Sequence, residues 1–158
     1  MSARGTSGVL GMAFWAILSN PAIARADPSV CLSSHPEGTL VATYPLSKDA
    51  GFALGFIHSV SHTPVLDIYE IRAGQVVQTS EIFQAHGAGL PSMSDEIDAT
   101  GWHHENGHFI LDLDRPIGAM IVRIQPEYEN TLHIADRSIP LASLGFSVLR
   151  IAACETQG

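Results

Sequence analysis

Short apolar runs, separated by Gly, Pro, Asn or Asp, recur roughly every eight to twelve residues from Thr39 onward, and no window holds a helical period of adequate length. Thr39 to Tyr44 (TLVATY) reads as a strand, and Phe52, Leu54, Phe56 and His58 alternate with smaller residues as a second. Val65 to Arg72 (VLDIYEIR) and Val76 to Phe83 (VVQTSEIF) flank Gly74 and predict a hairpin. A second hairpin carries the strongest local signal: Trp102 to Glu105 and His108 to Leu111 flank Asn106-Gly107, the preferred pair for a two-residue type I′ turn. Ala119 to Gln125, Thr131 to Ala135, Ser138 to Leu141 and Phe146 to Ala153 complete the set, with one short turn expected at Leu141 to Leu144. The pattern predicts an all-β fold, an antiparallel β-sandwich or partly open barrel of about eight or nine strands.

The first 26 residues break this pattern. Arg4 precedes an apolar run, Val9 to Leu18, which ends before Pro21 and the small-residue site Ala24-Arg25-Ala26. That order predicts a cleavable signal peptide over 1–26, a single all-β domain over 27–158, and a periplasmic or other extracytoplasmic location. The apolar run falls short of the roughly 20 residues a membrane-spanning helix needs, so no integral membrane segment is expected after processing.

Composition sharpens this picture. The whole chain carries 8 basic and 16 acidic residues. Loss of Arg4 and Arg25 with the leader takes the formal net charge from −8 to −10. Such a surface repels nucleic acid and anionic lipid, and nucleic-acid binding is not expected. Cys31 and Cys154, the two cysteines, stand near the two ends of the folded region, and an oxidising compartment predicts a disulfide that ties the first strand to the last.

Three segments could carry chemistry. In Phe56 to Tyr69 (FIHSVSHTPVLDIY), polar groups flank a tight connection between two strands, with Thr63 held to an extended or turn geometry by Pro64 and with Asp67 and Tyr69 on one strand face. These predict a binding edge built from His58, Ser59, Thr63, Asp67 and Tyr69. A serine hydrolase using Ser59, a histidine and Asp67 is the minor alternative, since no G-x-S-x-G elbow is present and neighbouring His58 and Ser59 on a strand would face opposite ways. In His86 to Pro91, Gly87 and Gly89 permit close backbone approach, at a sheet corner or as part of the same binding surface. In Trp102 to His108, the hairpin register brings His103, Glu105 and His108 to one face, a candidate set for zinc or copper, while His104 would turn to the other face with Phe109. No catalytic residue and no cofactor is assigned.

Two of these motifs together resemble a known family. His58-Ser59-Val60-x-x-Thr63-Pro64-Val65, followed by Asp67 and Tyr69, resembles an HSVxxTPVxE motif, with Asp67 where the family usually has Glu. Gly87-Ala88-Gly89-Leu90-Pro91 resembles its GAGLP partner, and Gly101-Trp102 and Arg115-Pro116 fall where that pattern places them. The chain is thus similar, over about Leu40 to Leu149, to the small exported proteins of the family called domain of unknown function 1850. The resemblance implies an accessory role beside TRAP transporters of the TAXI type, which import small organic solutes. The implied partners are the transporter's membrane subunit, its solute-binding protein, or the solute. It implies binding rather than catalysis.

Overall fold

The structure, a computed structural model, describes residues 27–47, 51–84 and 97–155; the expected leader and the segment holding Gly87 and Gly89 lie outside them. Ten strands form one antiparallel sheet curled into a half-barrel. In chain order they are β1 (Ser29–Ser34), β2 (Leu40–Pro45), β3 (Phe52–Ile57), β4 (Pro64–Arg72), β5 (Gln75–Phe83), β6 (Ala99–Glu105), β7 (His108–Arg123), β8 (Thr131–Ile134), β9 (Arg137–Pro140) and β10 (Val148–Ala153). The strand order is β2-β1-β10-β7-β5-β4-β3-β8-β9, with β6 also on β7. The partly open barrel anticipated from the alternation is therefore what forms.

Strand β7 organises the sheet. It runs for 16 residues, where alternation alone predicts two separate strands. Its first part pairs with β5 on one edge and β6 on the other, and its last five residues pair with β10. The interruption visible in the sequence is Pro116, which has no N–H to give the ladder. The β5–β7 register shifts between Val76 and Val77, beside the Val77–Pro116 pair, so the proline sits at an irregularity where it is tolerated. Gly118, at φ 68°, lies two residues further on, and there the strand leaves β5 for β10.

Strand β1 is not anticipated by the alternation, because Ser29–Ser34 (SVCLSS) is half serine. Only Val30 and Leu32 face inward as apolar groups, and both are fully buried. Neighbours on both edges hold it, β2 and β10. The expected disulfide is present: Cys31 and Cys154 are joined across a sequence separation of 123, with Cα atoms 5.0 Å apart. The Asn106-Gly107 turn forms as predicted, with φ 52° and 81° at the two positions. Leu141–Leu144 is one 3-10 turn.

Two apolar clusters fill the concave side. The larger joins both ends of the sheet order, with Leu32, Leu132, Leu141, Leu149 and Ile151 among its fully buried members. Each such side chain contributes about 1.5–3 kcal/mol by leaving water. The smaller is aromatic: Val65 and Phe83 are buried against Phe56, Trp102 and Phe109, with the Phe83 and Trp102 rings 5.8 Å apart. Between the two clusters the inward row changes character.

Candidate functional site

Strand alternation on β4 turns Val65, Asp67 and Tyr69 to the concave side, because Asp67 pairs with buried Leu54 and Tyr69 with buried Phe52. On β5 the same alternation would bring every second residue inward from Phe83, which reaches Glu81, then Thr79. A bulge changes this. Asp67 pairs with Glu81, but Tyr69 pairs with Gln78, so Thr79 is the extra residue. The β5–β7 register also shifts between Gln78 and Ser80, which sets Arg115 opposite Gln78. These two irregularities re-aim Gln78 and Arg115 onto the face that holds Asp67 and Tyr69.

The side chains then form a directed relay. The Arg115 Nη1 donates to Gln78 Oε1 at 3.3 Å. That fixes the amide orientation, and Gln78 Nε2 donates to Asp67 Oδ1 at 3.2 Å. The Tyr69 hydroxyl donates to Asp67 Oδ2 at 3.1 Å. Tyr69 and Gln78 are buried, and Asp67 and Arg115 are half-buried. Arg115 also reaches toward the surface, donating from Nη2 to the Ile97 carbonyl at 2.8 Å and lying 3.6 Å from Asp98 Oδ2 through Nε. Every donor along the line points toward the carboxylate, which accepts from two partners, Tyr69 and Gln78, with the guanidinium acting through Gln78.

Burial dominates the electrostatics here. It pushes the Asp67 carboxyl up to about 6, against the opposing pull of the Tyr69 hydrogen bond, the Arg115 charge and the Gln78 hydrogen bond. The Tyr69 phenol is driven upward too, first by burial and then by the Asp67 charge and hydrogen bond, so it stays a donor. A carboxyl so placed can exchange a proton near neutral pH, and the arrangement can recognise a group that competes for Arg115.

The expected binding edge resolves into two separate units. Asp67 and Tyr69 belong to the relay. His58 and Thr63 belong to a turn, closed by the His58 N–H donating to the Thr63 carbonyl and the His62 N–H to the His58 carbonyl, both at 2.9 Å. Within it, the Ser61 N–H donates to His58 Nδ1 at 3.2 Å, which leaves that nitrogen unprotonated. The Ser61 hydroxyl lies 3.2 Å from the same nitrogen and 2.8 Å from the Thr63 hydroxyl. Ser59 is exposed, and Ser61 takes the place beside the histidine that the hydrolase alternative gave to Ser59. With both Asp67 oxygens bonded to Tyr69 and Gln78, no Ser–His–Asp relay links these residues. Gly87 and Gly89 lie outside the described residues.

The hairpin histidines are also engaged. Glu105 faces His108 in the expected register. His108 donates from Nδ1 to the Asn106 carbonyl at 3.2 Å and so accepts at Nε2 from the Gln84 amide at 2.9 Å. His103 Nδ1 lies 3.4 Å from Asp112 Oδ2. His104 packs on Phe109 with ring centroids 4.8 Å apart, on the face expected. Among the described residues no group of three or more His, Cys, Asp or Glu side chains is placed to hold a metal ion, so His103, Glu105 and His108 are not gathered into a ligand set.

Sequence reasoning singled out Asp67 and Tyr69 but not Gln78, and it placed Arg115 beside Pro116 in the family pattern. The missing signal is the bulge at Thr79, which no residue type on β5 announces.

These features define a class: an all-β half-barrel whose concave side carries a buried carboxyl relay. The chain belongs to the family described as Domain of unknown function (DUF1850), which it matches over residues 52–141. The relay and the His58–Thr63 turn fall inside that span, and the disulfide falls outside it. No curated protein and no solved structure matches the chain.

Proposed function

We propose that the protein is an exported accessory component of a TRAP/TAXI-type solute uptake system and that it acts by binding, not by catalysis. The observation that carries a binding role is the relay. It holds a guanidinium near the surface at Arg115 and ties it through Gln78 to a carboxyl that burial keeps near its protonation midpoint. Such a line recognises an anionic group, either a small organic acid or a carboxylate on a transporter subunit, which would replace the loose Asp98 contact at Arg115 Nε. The residues that match the family motif, His58, Ser59, Thr63 and Pro64, with Asp67 in the place of its Glu, support the association with the transporter.

The test is co-purification of the tagged chain with the membrane and solute-binding subunits of a TRAP/TAXI-type transporter from the same source. Recovery of either subunit by the wild type, and its loss in Arg115→Ala with the fold retained by circular dichroism, is the expected result. Recovery of neither at low or moderate salt, together with no calorimetric signal for small organic acids, would remove the reading.

A further inference from the structure

The charge of this protein is not spread evenly. Strands β1, β2 and β10 and the last five residues of β7 form one four-stranded region of the sheet, and none of its residues is Asp or Glu. It carries two charges, Arg123 and Arg150, both exposed. Register places them on the outer face. Arg150 pairs with Ser33 and Ile121, and Ser33 pairs with Leu40, so Leu40, Ser33, Arg150 and Ile121 make one row across the face. Val148 and Arg123 make the next row.

Leu40 and Ile121 are exposed apolar groups on that face, and Phe146 is exposed in the segment that leads into β10. Leu40 is 61% exposed, Ile121 48%, and Phe146, two residues before Val148, 38%. The other described arginines are engaged: Arg72 pairs with Glu70 and Asp114, Arg115 belongs to the relay, and Arg137 lies over the Tyr44 ring. Arg123 and Arg150 have no ion-pair partner among the described residues. The described acidic residues that flank these strands in sequence, Asp27, Glu37, Glu127 and Glu155, stand outside the four strands.

We infer that this face docks on an anionic lipid leaflet. Two arguments select that occupant. A second copy related by a two-fold axis would set four guanidiniums against one another with no carboxylate between them. A face four strands wide and about five residues long covers roughly 300 Å², well below the roughly 800 Å² per partner of a standard protein interface, whereas a leaflet sets no minimum area. Arginine beside exposed aliphatic and aromatic side chains is the composition of an interfacial surface, and basic residues near anionic headgroups each add to the attraction. The net negative charge of the whole chain repels an anionic leaflet overall, and it does so least with this carboxylate-free face turned toward the leaflet and the acidic surfaces away.

This inference does not rest on the transporter reading. Its test uses the full chain and co-sedimentation with vesicles of phosphatidylcholine alone or with roughly 30 mol% phosphatidylglycerol. The wild type should bind the anionic vesicles more tightly than the neutral ones. R123Q/R150Q should weaken that binding at least about tenfold. R72Q/R137Q changes the net charge equally, and should weaken it far less. Unchanged circular dichroism and melting in each double variant shows that the fold is intact. Equal losses in the two double variants would reduce the effect to net charge and overturn the inference. No preference for anionic vesicles would overturn it as well. Unaltered vesicle binding by R123Q/R150Q, with loss of a transporter subunit in that variant alone, would assign the face to a protein instead.

Discussion

Asp67 is a carboxyl placed where an apolar residue would cost nothing, between two apolar clusters and opposite Leu54. Its ionised form is disfavoured by burial, and the folded protein holds a proton on it up to about pH 6, whereas an unfolded Asp releases it near about 3.9. Between those values the native state binds the extra proton, so stability falls as pH rises from about 4 to about 6 and levels off above. The loss is at most about 3 kcal/mol from this group. Denaturant unfolding as a function of pH checks it: the wild type should lose stability across that window, and Asp67→Asn, which cannot ionise, should lack the portion due to Asp67. Identical slopes in the two proteins would mean that the carboxyl is already solvated in the native state. The amide also cannot accept from Tyr69 and Gln78 with both its terminal atoms, so the variant gives up one hydrogen bond at every pH.

At the level of elements, the strands that alternate cleanly are the ones legible in the chain. Phe52 to Phe56, Val65 to Arg72 and Val76 to Phe83 form the strands expected of them, and the Asn106-Gly107 turn carries its own conformational requirement. What alternation cannot show is where it slips. Thr79 looks like any strand threonine, yet it is the extra residue that turns Gln78 inward, and with it the middle of the relay. Strand β1 is hidden for a different reason: a serine-rich strand that neighbours on both edges hold needs little apolar surface of its own. Close backbone approach is similarly silent. A Cβ at Gly51, just before β3, would collide with the Tyr69 carbonyl, a backbone atom on β4 that cannot step aside. Gly51→Ala should therefore cost about 1–3 kcal/mol and disturb the Phe52–Tyr69 pair that supports the relay. Urea unfolding measures the first, and near-ultraviolet circular dichroism of the stacked Phe52 and Tyr69 rings, 5.2 Å apart, reports the second. A fully native variant would show that β3 can shift at no cost.

The whole molecule is closed by its ends. The sheet order places β1 and β10 side by side, and the Cys31–Cys154 bond spans nearly the entire folded chain. Loops of this length gain the most from closure in the chain-entropy account, with typical values of about 2–4 kcal/mol. Cys31→Ser with Cys154→Ser, or reduction of the wild type, should lower the unfolding free energy by that amount and leave the hairpin-based larger part of the sheet slower to open than β1 and β2, as hydrogen exchange would register. Equal stability of oxidised and reduced protein would contradict this. The same closure has a geometric result. The Cys154 N–H donates to the Ser29 carbonyl at 2.8 Å, so the path into the domain and the path out of it meet at one corner. An attachment made at the first or the last strand, beside Ser29 or Cys154, would hang from the same corner of the sheet.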